Sequence, residues 1–297
     1  MVAILLLGLA GLLYVQAPAV DSAPPEAVRQ AVLLDGLNPF LLTNLVSRRV
    51  VVEIDWVAGA RPAPESLQAA ETLLRRHCPA GKRIEVRLDD EIEWNRWIQA
   101  GGRRGLEELV ASYLDHDPSR WDEAEVVYVL YVPDGRPWFA RDVSGITDRI
   151  VFEHSGETRT VRTVLLFTDS FRRDAWLWVT RLEYEKATFV HELGHVLGLV
   201  SNPLHVQKKY PQHCKRSRCV MHQPTEWSLW VNALPVFFTG RVPHELGRLC
   251  AEDIRAAKNL WSAHASSASD FSDRLQAARA RRDASIIADW QAQRRLP

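Results

Sequence analysis

The stretch His191-Glu192-Leu193-Gly194-His195-Val196-Leu197-Gly198 decides how the rest of the chain is read. Residues four apart lie one above the other on a helix, so both imidazoles can reach one metal ion while Glu192 stands beside its open coordination position. That is a site for polarising water. The flanking residues are those of a helix. Thr180 followed by Glu183 reads as a capping box, Ala187, Val190, Val196 and Leu197 recur at roughly helical spacing, and Gly198 supplies the left-handed residue at which a helix ends.

A catalytic zinc takes three protein ligands and leaves its fourth position to water, so a third ligand has to be found. In the pattern H-E-x-x-H-x-x-G-x-x-H it would stand at position 201, and Ser201 is a poor zinc ligand. Spacing leaves His205, His213 and His222 as candidates. His213 differs from the others in its context, since it opens the segment His213-Cys214-Lys215-Arg216-Ser217-Arg218-Cys219-Val220-Met221.

Together with residues 191–198, that segment resembles the signature of the archaemetzincins, zinc proteases of the metzincin clan, with Ser201 to Gln212 reading as an insertion between the two parts. The resemblance implies His191, His195 and His213 as ligands of a catalytic Zn²⁺. It implies Glu192 as general base and Met221 as the methionine of the turn beneath the metal. The activity that follows is hydrolysis of peptide bonds by a water that zinc polarises and Glu192 deprotonates, with a peptide or protein as substrate. His222, where some related sequences carry a tyrosine, is a candidate transition-state donor to the oxyanion. The alternative function is a zinc-stabilised, catalytically inactive binding protein on a protease fold, but a purely structural site has no need of Glu192.

Archaemetzincins also carry a further zinc bound by four cysteines. Cys214, Cys219 and Cys250 match three of them, but the residue three before Cys250 is Gly247 and Cys78 lies far away, so a four-cysteine site is not available. Two readings stay open for the three cysteines. One is a structural zinc completed by His222 or His244, and the other is a disulfide joining Cys214 to Cys219 or to Cys250, which needs an oxidising compartment.

The N-terminus points to such a compartment. Val2 to Val15 is wholly apolar or glycine, a length that suits the core of a signal peptide or a short membrane anchor, followed by a tether rich in proline and alanine up to Pro25. Either role exports the remaining chain, to a secreted or periplasmic location or to a membrane-anchored one facing outside the cytoplasm. Zero net charge, from 37 basic and 37 acidic residues, argues against nucleic acid as a partner, since no overall positive field gathers phosphates.

The predicted elements alternate. Strands are expected at 50–57, 83–88, 125–132 and 162–168, and helices at 64–78, 105–114, the zinc-binding segment, 250–261 and 270–295. The fold class is α/β (α+β), a metzincin-like protease domain with a twisted mixed sheet whose edge borders the substrate cleft, plus C-terminal helices. The organisation is a leader or anchor at 1–25, the protease domain at 26–262, and a linker with a charged helix at 263–297. Trp138, Phe139, Trp227 and Trp230 are candidate walls of the cleft.

Overall fold

A computed structural model describes residues 36–120, 123–133, 143–175, 179–200, 202, 205–208, 210–222, 243–264 and 268–294. The apolar N-terminal segment, Ser201, and Trp138, Phe139, Trp227 and Trp230 lie outside the described residues. Among those described, no helix is long and apolar enough to cross a membrane.

The architecture follows from the strands β1 (Arg49–Val57) and β3 (Glu125–Val132), whose side chains are buried on both faces almost throughout. A strand with no solvent face must be covered on both sides, which is the condition met by the inner strands of an α/β sheet. They pair in parallel at the centre of a five-stranded sheet ordered β2-β1-β3-β5-β4, with β2 (Arg83–Ile92) parallel to β1 and β5 (Glu157–Phe167) parallel to β3. Only β4 (Gly145–His154) runs the other way, antiparallel to β5 at the edge. The chain is therefore α/β with a mixed sheet and C-terminal helices.

β4 is absent from the sequence-based expectation, which has a strand beginning only at 162. Its polar Asp148, Arg149 and Glu153 mask the pattern, and an edge strand tolerates them. The turn Ser155-Gly156, with φ of 53° and 80°, joins β4 to β5 as a two-residue hairpin in the left-handed geometry that matches strand twist.

One face of the sheet packs against α2 (Pro64–His77), α6 (Arg181–Val196) and α7 (Arg248–His264). Val52, Ile54, Val129 and Leu166 meet Leu74, Phe189, Leu193 and Trp261 there. The other face, carrying Tyr128, Leu130 and Leu165, is covered by Trp97 of α3 (Trp94–Gln99) and by Leu106 and Leu109 of α4 (Gly102–Tyr113). Two short helices, α1 (Pro39–Leu42) and α5 (Thr168–Asp174), complete the elements before α6.

The last helix, α8 (Ala268–Arg294), has no continuous apolar stripe and is held by charge instead. Its Arg279 pairs with the buried Glu125 and lies over the Phe40 ring, 4.7 Å from the centroid. Asp283 pairs with Arg149 of β4, and Trp290 Nε1 donates to Glu107 of α4 at 2.9 Å. Burial alone would raise the Glu125 carboxyl, but Arg279 and Arg162 outweigh it and hold it below the usual range. Removing one member of a buried ionic cluster strands the rest. Glu125→Ala is expected to cost about 3–5 kcal/mol in urea unfolding; a loss under about 1 kcal/mol would show that α8 is not anchored there.

Candidate metal centre

Helix α6 starts where the capping pattern places it, with Thr180 Oγ1 accepting from the Glu183 N–H at 3.2 Å. Glu183 does not complete the box, because its carboxylate turns to Lys186. The helix lies inside the molecule, with Glu185, Phe189, Val190, His191, Glu192 and Leu193 all buried. Glu185 fixes its direction by accepting from the Ala63 N–H at 2.7 Å at the start of α2. At the far end Gly198 takes φ of 79°, and a Cβ there would fall 2.1 Å from the Gly36 carbonyl oxygen, so the turn requires glycine.

The one-turn offset brings the two motif histidines together, with Nε2 of His195 and Nε2 of His191 3.1 Å apart. His191 donates through Nδ1 to the Val220 carbonyl at 2.6 Å, which fixes its tautomer and leaves Nε2 as the free donor atom. His213 comes from a different part of the chain to complete a triangle. Its ring centroid lies 5.1 Å from that of His191 and 5.4 Å from that of His195. One nitrogen of each of the three rings lies within 4.8 Å of the others. Two ligand atoms on a tetrahedral zinc, each at about 2.0–2.1 Å, stand roughly 3.4 Å apart, so the 3.1 Å pair needs only slight opening to accept the ion.

Electrostatics favour the metal-ready form. Burial lowers all three imidazoles, with His213 reaching about 3 and His195 held further down by His191 and His213. A neutral imidazole is the species that binds metal. The buried Nδ1 of His213 has no hydrogen-bond partner. The site thus brings together three converging nitrogen donors that burial keeps neutral, a donor set that fits zinc.

Glu192 is 6% exposed and is shaped by the edge strand. Thr147 of β4 donates its hydroxyl to Oε2 of Glu192 at 2.7 Å and lies 3.0 Å from the Glu192 carbonyl oxygen. Gly145 of the same strand leaves the space the side chain occupies, since a Cβ there would sit 2.7 Å from Glu192 Cγ and 2.9 Å from Oε1. Burial pushes the carboxyl up to about 7, with the Thr147 hydrogen bond opposing. Neither Gly145 nor Thr147 is singled out by sequence. The Ser155-Gly156 turn was the available signal for the strand that carries them.

Met221 is fully buried and lies under the histidine helix. A Cβ on Gly194, between the two histidines, would lie 2.1 Å from its sulfur, so the glycine inside the motif makes room for the methionine. The loop from His213 to Met221 is closed on itself by the Cys214 N–H donating to the Met221 carbonyl at 2.7 Å. His222 Nδ1 lies 2.8 Å from the Cys214 carbonyl oxygen and 2.7 Å from Gln207 Nε2.

His205 stands in a second group, with Cys214 and Cys250. Of the histidines expected beside the cysteines, His222 Nδ1 lies 2.8 Å from the Cys214 carbonyl oxygen and His244 Nδ1 lies 3.9 Å from a Glu183 carboxylate oxygen. None of the four cysteines is disulfide-bonded, and Sγ of Cys219 and Sγ of Cys250 are 3.6 Å apart. His205 and Asp253 were not legible as members of this group, because residues 201–212 read as an insertion.

Comparison with models of known protein families, with curated proteins and with solved structures found no match.

The pH behaviour of the metal-free protein follows from the buried imidazoles. A histidine whose folded pKa is depressed stabilises the fold fully above its unfolded value near 6.5, and this contribution fades as pH falls toward the folded value. Chelator-treated protein is therefore expected to melt at progressively lower temperature from pH 6.5 down to 4, and His213→Gln to flatten that slope. Identical slopes in the two proteins would contradict the neutral state of the half-buried His213.

Proposed function

We propose that this chain is a zinc peptidase of the archaemetzincin-like kind, hydrolysing peptide bonds at a centre made by His191, His195 and His213. The observation that carries this reading is the convergence of three neutral imidazoles next to a buried carboxylate that Thr147 and Gly145 hold in one position. A structural zinc site would be closed by a fourth protein ligand, whereas three ligands and an adjacent general base leave a position for water.

When bound, zinc supplies a Lewis acid that acidifies water and polarises a carbonyl. The protein's own part is proton transfer and positioning. Glu192 takes a proton from the attacking water and returns it to the leaving nitrogen, and a carboxyl poised near neutral pH suits both directions. Thr147 holds the carboxylate through Oε2, which leaves Oε1 for the water. The antiparallel edge strand β4 lies beside Glu192, so an extended peptide added along that edge would bring its backbone past the base using main-chain hydrogen bonds. The apolar run Val2 to Val15 supports a peptidase that works outside the cytoplasm.

The test is digestion of a broad peptide library by the full chain, with metal content measured on the same samples. Cleavage should disappear on chelation, and Glu192→Gln should lower the rate by about 100-fold or more while the bound metal is retained. Metal binding with no cleavage in the unmodified protein would instead favour a zinc-stabilised binding protein. Thr147→Val should lower kcat more than it raises KM, since it leaves the ligands untouched; an unchanged kcat would remove Thr147 from the account.

A further inference from the structure

On the face of β4 turned away from Glu192, a cavity of about 210 Å³ opens between that strand, β5 and α4. Alternate residues of a strand point to opposite faces, so Gly145 and Thr147 meet Glu192 while Ile146, Asp148 and Ile150 line the cavity. Leu106 of α4 and Leu165 of β5 complete its apolar walls. A cavity of about 150 Å³ with such walls is enough to hold a benzene ring.

Three polar groups set this cavity apart from a packing defect. Thr163 of β5 lines it and is 1% exposed, yet its Oγ1 has no hydrogen-bond partner. A buried hydroxyl left without a partner is destabilising, and a valine of the same shape would avoid that. Asp148 stands opposite Thr163 in the β4–β5 register. Arg103 comes from the first turn of α4, with Nη1 3.3 Å from Asp148 Oδ2. It is held from behind, Nη2 donating to the Arg149 carbonyl oxygen at 3.2 Å and Nε lying 3.5 Å from the Glu107 carboxylate. Glu107 is in turn held by Trp290 and Arg294 of α8. The side chains of Arg103 and Asp148 are about half exposed, so a ligand can reach both. An ion pair this open to solvent contributes little to stability and gives way readily to a charged ligand.

A cation, an anion and an unpartnered hydroxyl thus adjoin one another beside an apolar cavity. We infer that this cavity binds a free α-amino acid with an apolar side chain. Arg103 and the Thr163 hydroxyl donate to its carboxylate, Asp148 accepts from its ammonium group, and the apolar walls enclose its side chain. A fatty acid would set its carboxylate against Asp148, and a simple amine would set its ammonium against Arg103; the zwitterion satisfies both. Such amino acids are what peptide hydrolysis releases, so on the reading proposed above the site senses product from the far face of the strand that holds Glu192. Binding itself does not rest on that reading.

The experiment is calorimetric titration of the full chain with L-leucine, repeated on His191→Ala/His195→Ala. One leucine per chain is expected, with the same affinity in both proteins, because the sheet separates the cavity from the histidine helix. Isocaproate, isoamylamine and glycine lack in turn the ammonium, the carboxylate and the side chain of leucine, and each should bind at least about 10-fold more weakly. Thr163→Val should weaken leucine by about 10-fold while leaving the melting temperature unchanged or raised, a combination that a purely structural threonine does not produce. Leu106→Trp, which fills the cavity, should abolish binding. The inference is overturned if neither leucine nor phenylalanine binds, if binding is lost with the two histidines, or if Thr163→Val and Leu106→Trp leave the affinity unchanged.

Discussion

The structure depends on one contact, the hydrogen bond from His191 Nδ1 to the Val220 carbonyl oxygen across 29 positions of chain. It sets the tautomer of the first motif histidine, and it seats the His213–Met221 loop on the histidine helix. From it follow the packing of Met221 against Gly194 and the arrival of His213 beside His191 and His195. The helix itself brings only two of the three imidazoles together; the third comes from the loop, and this contact is where the loop is attached.

The sheet serves the same end from the other side. Four parallel-paired strands make a rigid floor for α6, and the antiparallel β4 brings Gly145 and Thr147 to Glu192. A glycine and a threonine two residues apart point to the same face of a strand, so one allows the carboxylate in and the other holds it. The Glu192 carboxylate is therefore positioned by the sheet and the three imidazoles by the helix and loop. Changes in β4 should then affect the carboxylate without disturbing the imidazoles.

Much of this was legible in sequence, and the reasons for the rest are physical. The interior strands β1 and β3 declare themselves because burial on both faces leaves continuous apolar runs, and the Thr180 cap and Gly198 stop are local signals. β4 was hidden because an edge strand needs no apolar face throughout. Helix α8 was legible as a helix, but its seat was not, because Arg279, Asp283 and Trp290 find partners far away in the chain. The same holds for the second cluster: His205 lies in a stretch without periodicity, and only folding brings it to Cys214 and Asp253. Side chains placed together by one helix can be read from spacing, whereas those brought in by loops depend on how the chain returns.

The most direct test of the central claim is a crystal structure of the zinc-loaded protein with anomalous data collected on both sides of the zinc absorption edge. The account predicts a zinc peak about 2.0–2.1 Å from one nitrogen of each of His191, His195 and His213, with its remaining position open to solvent on the Glu192 side. Absence of zinc between these three rings, or a fourth protein ligand closing the site, would contradict it.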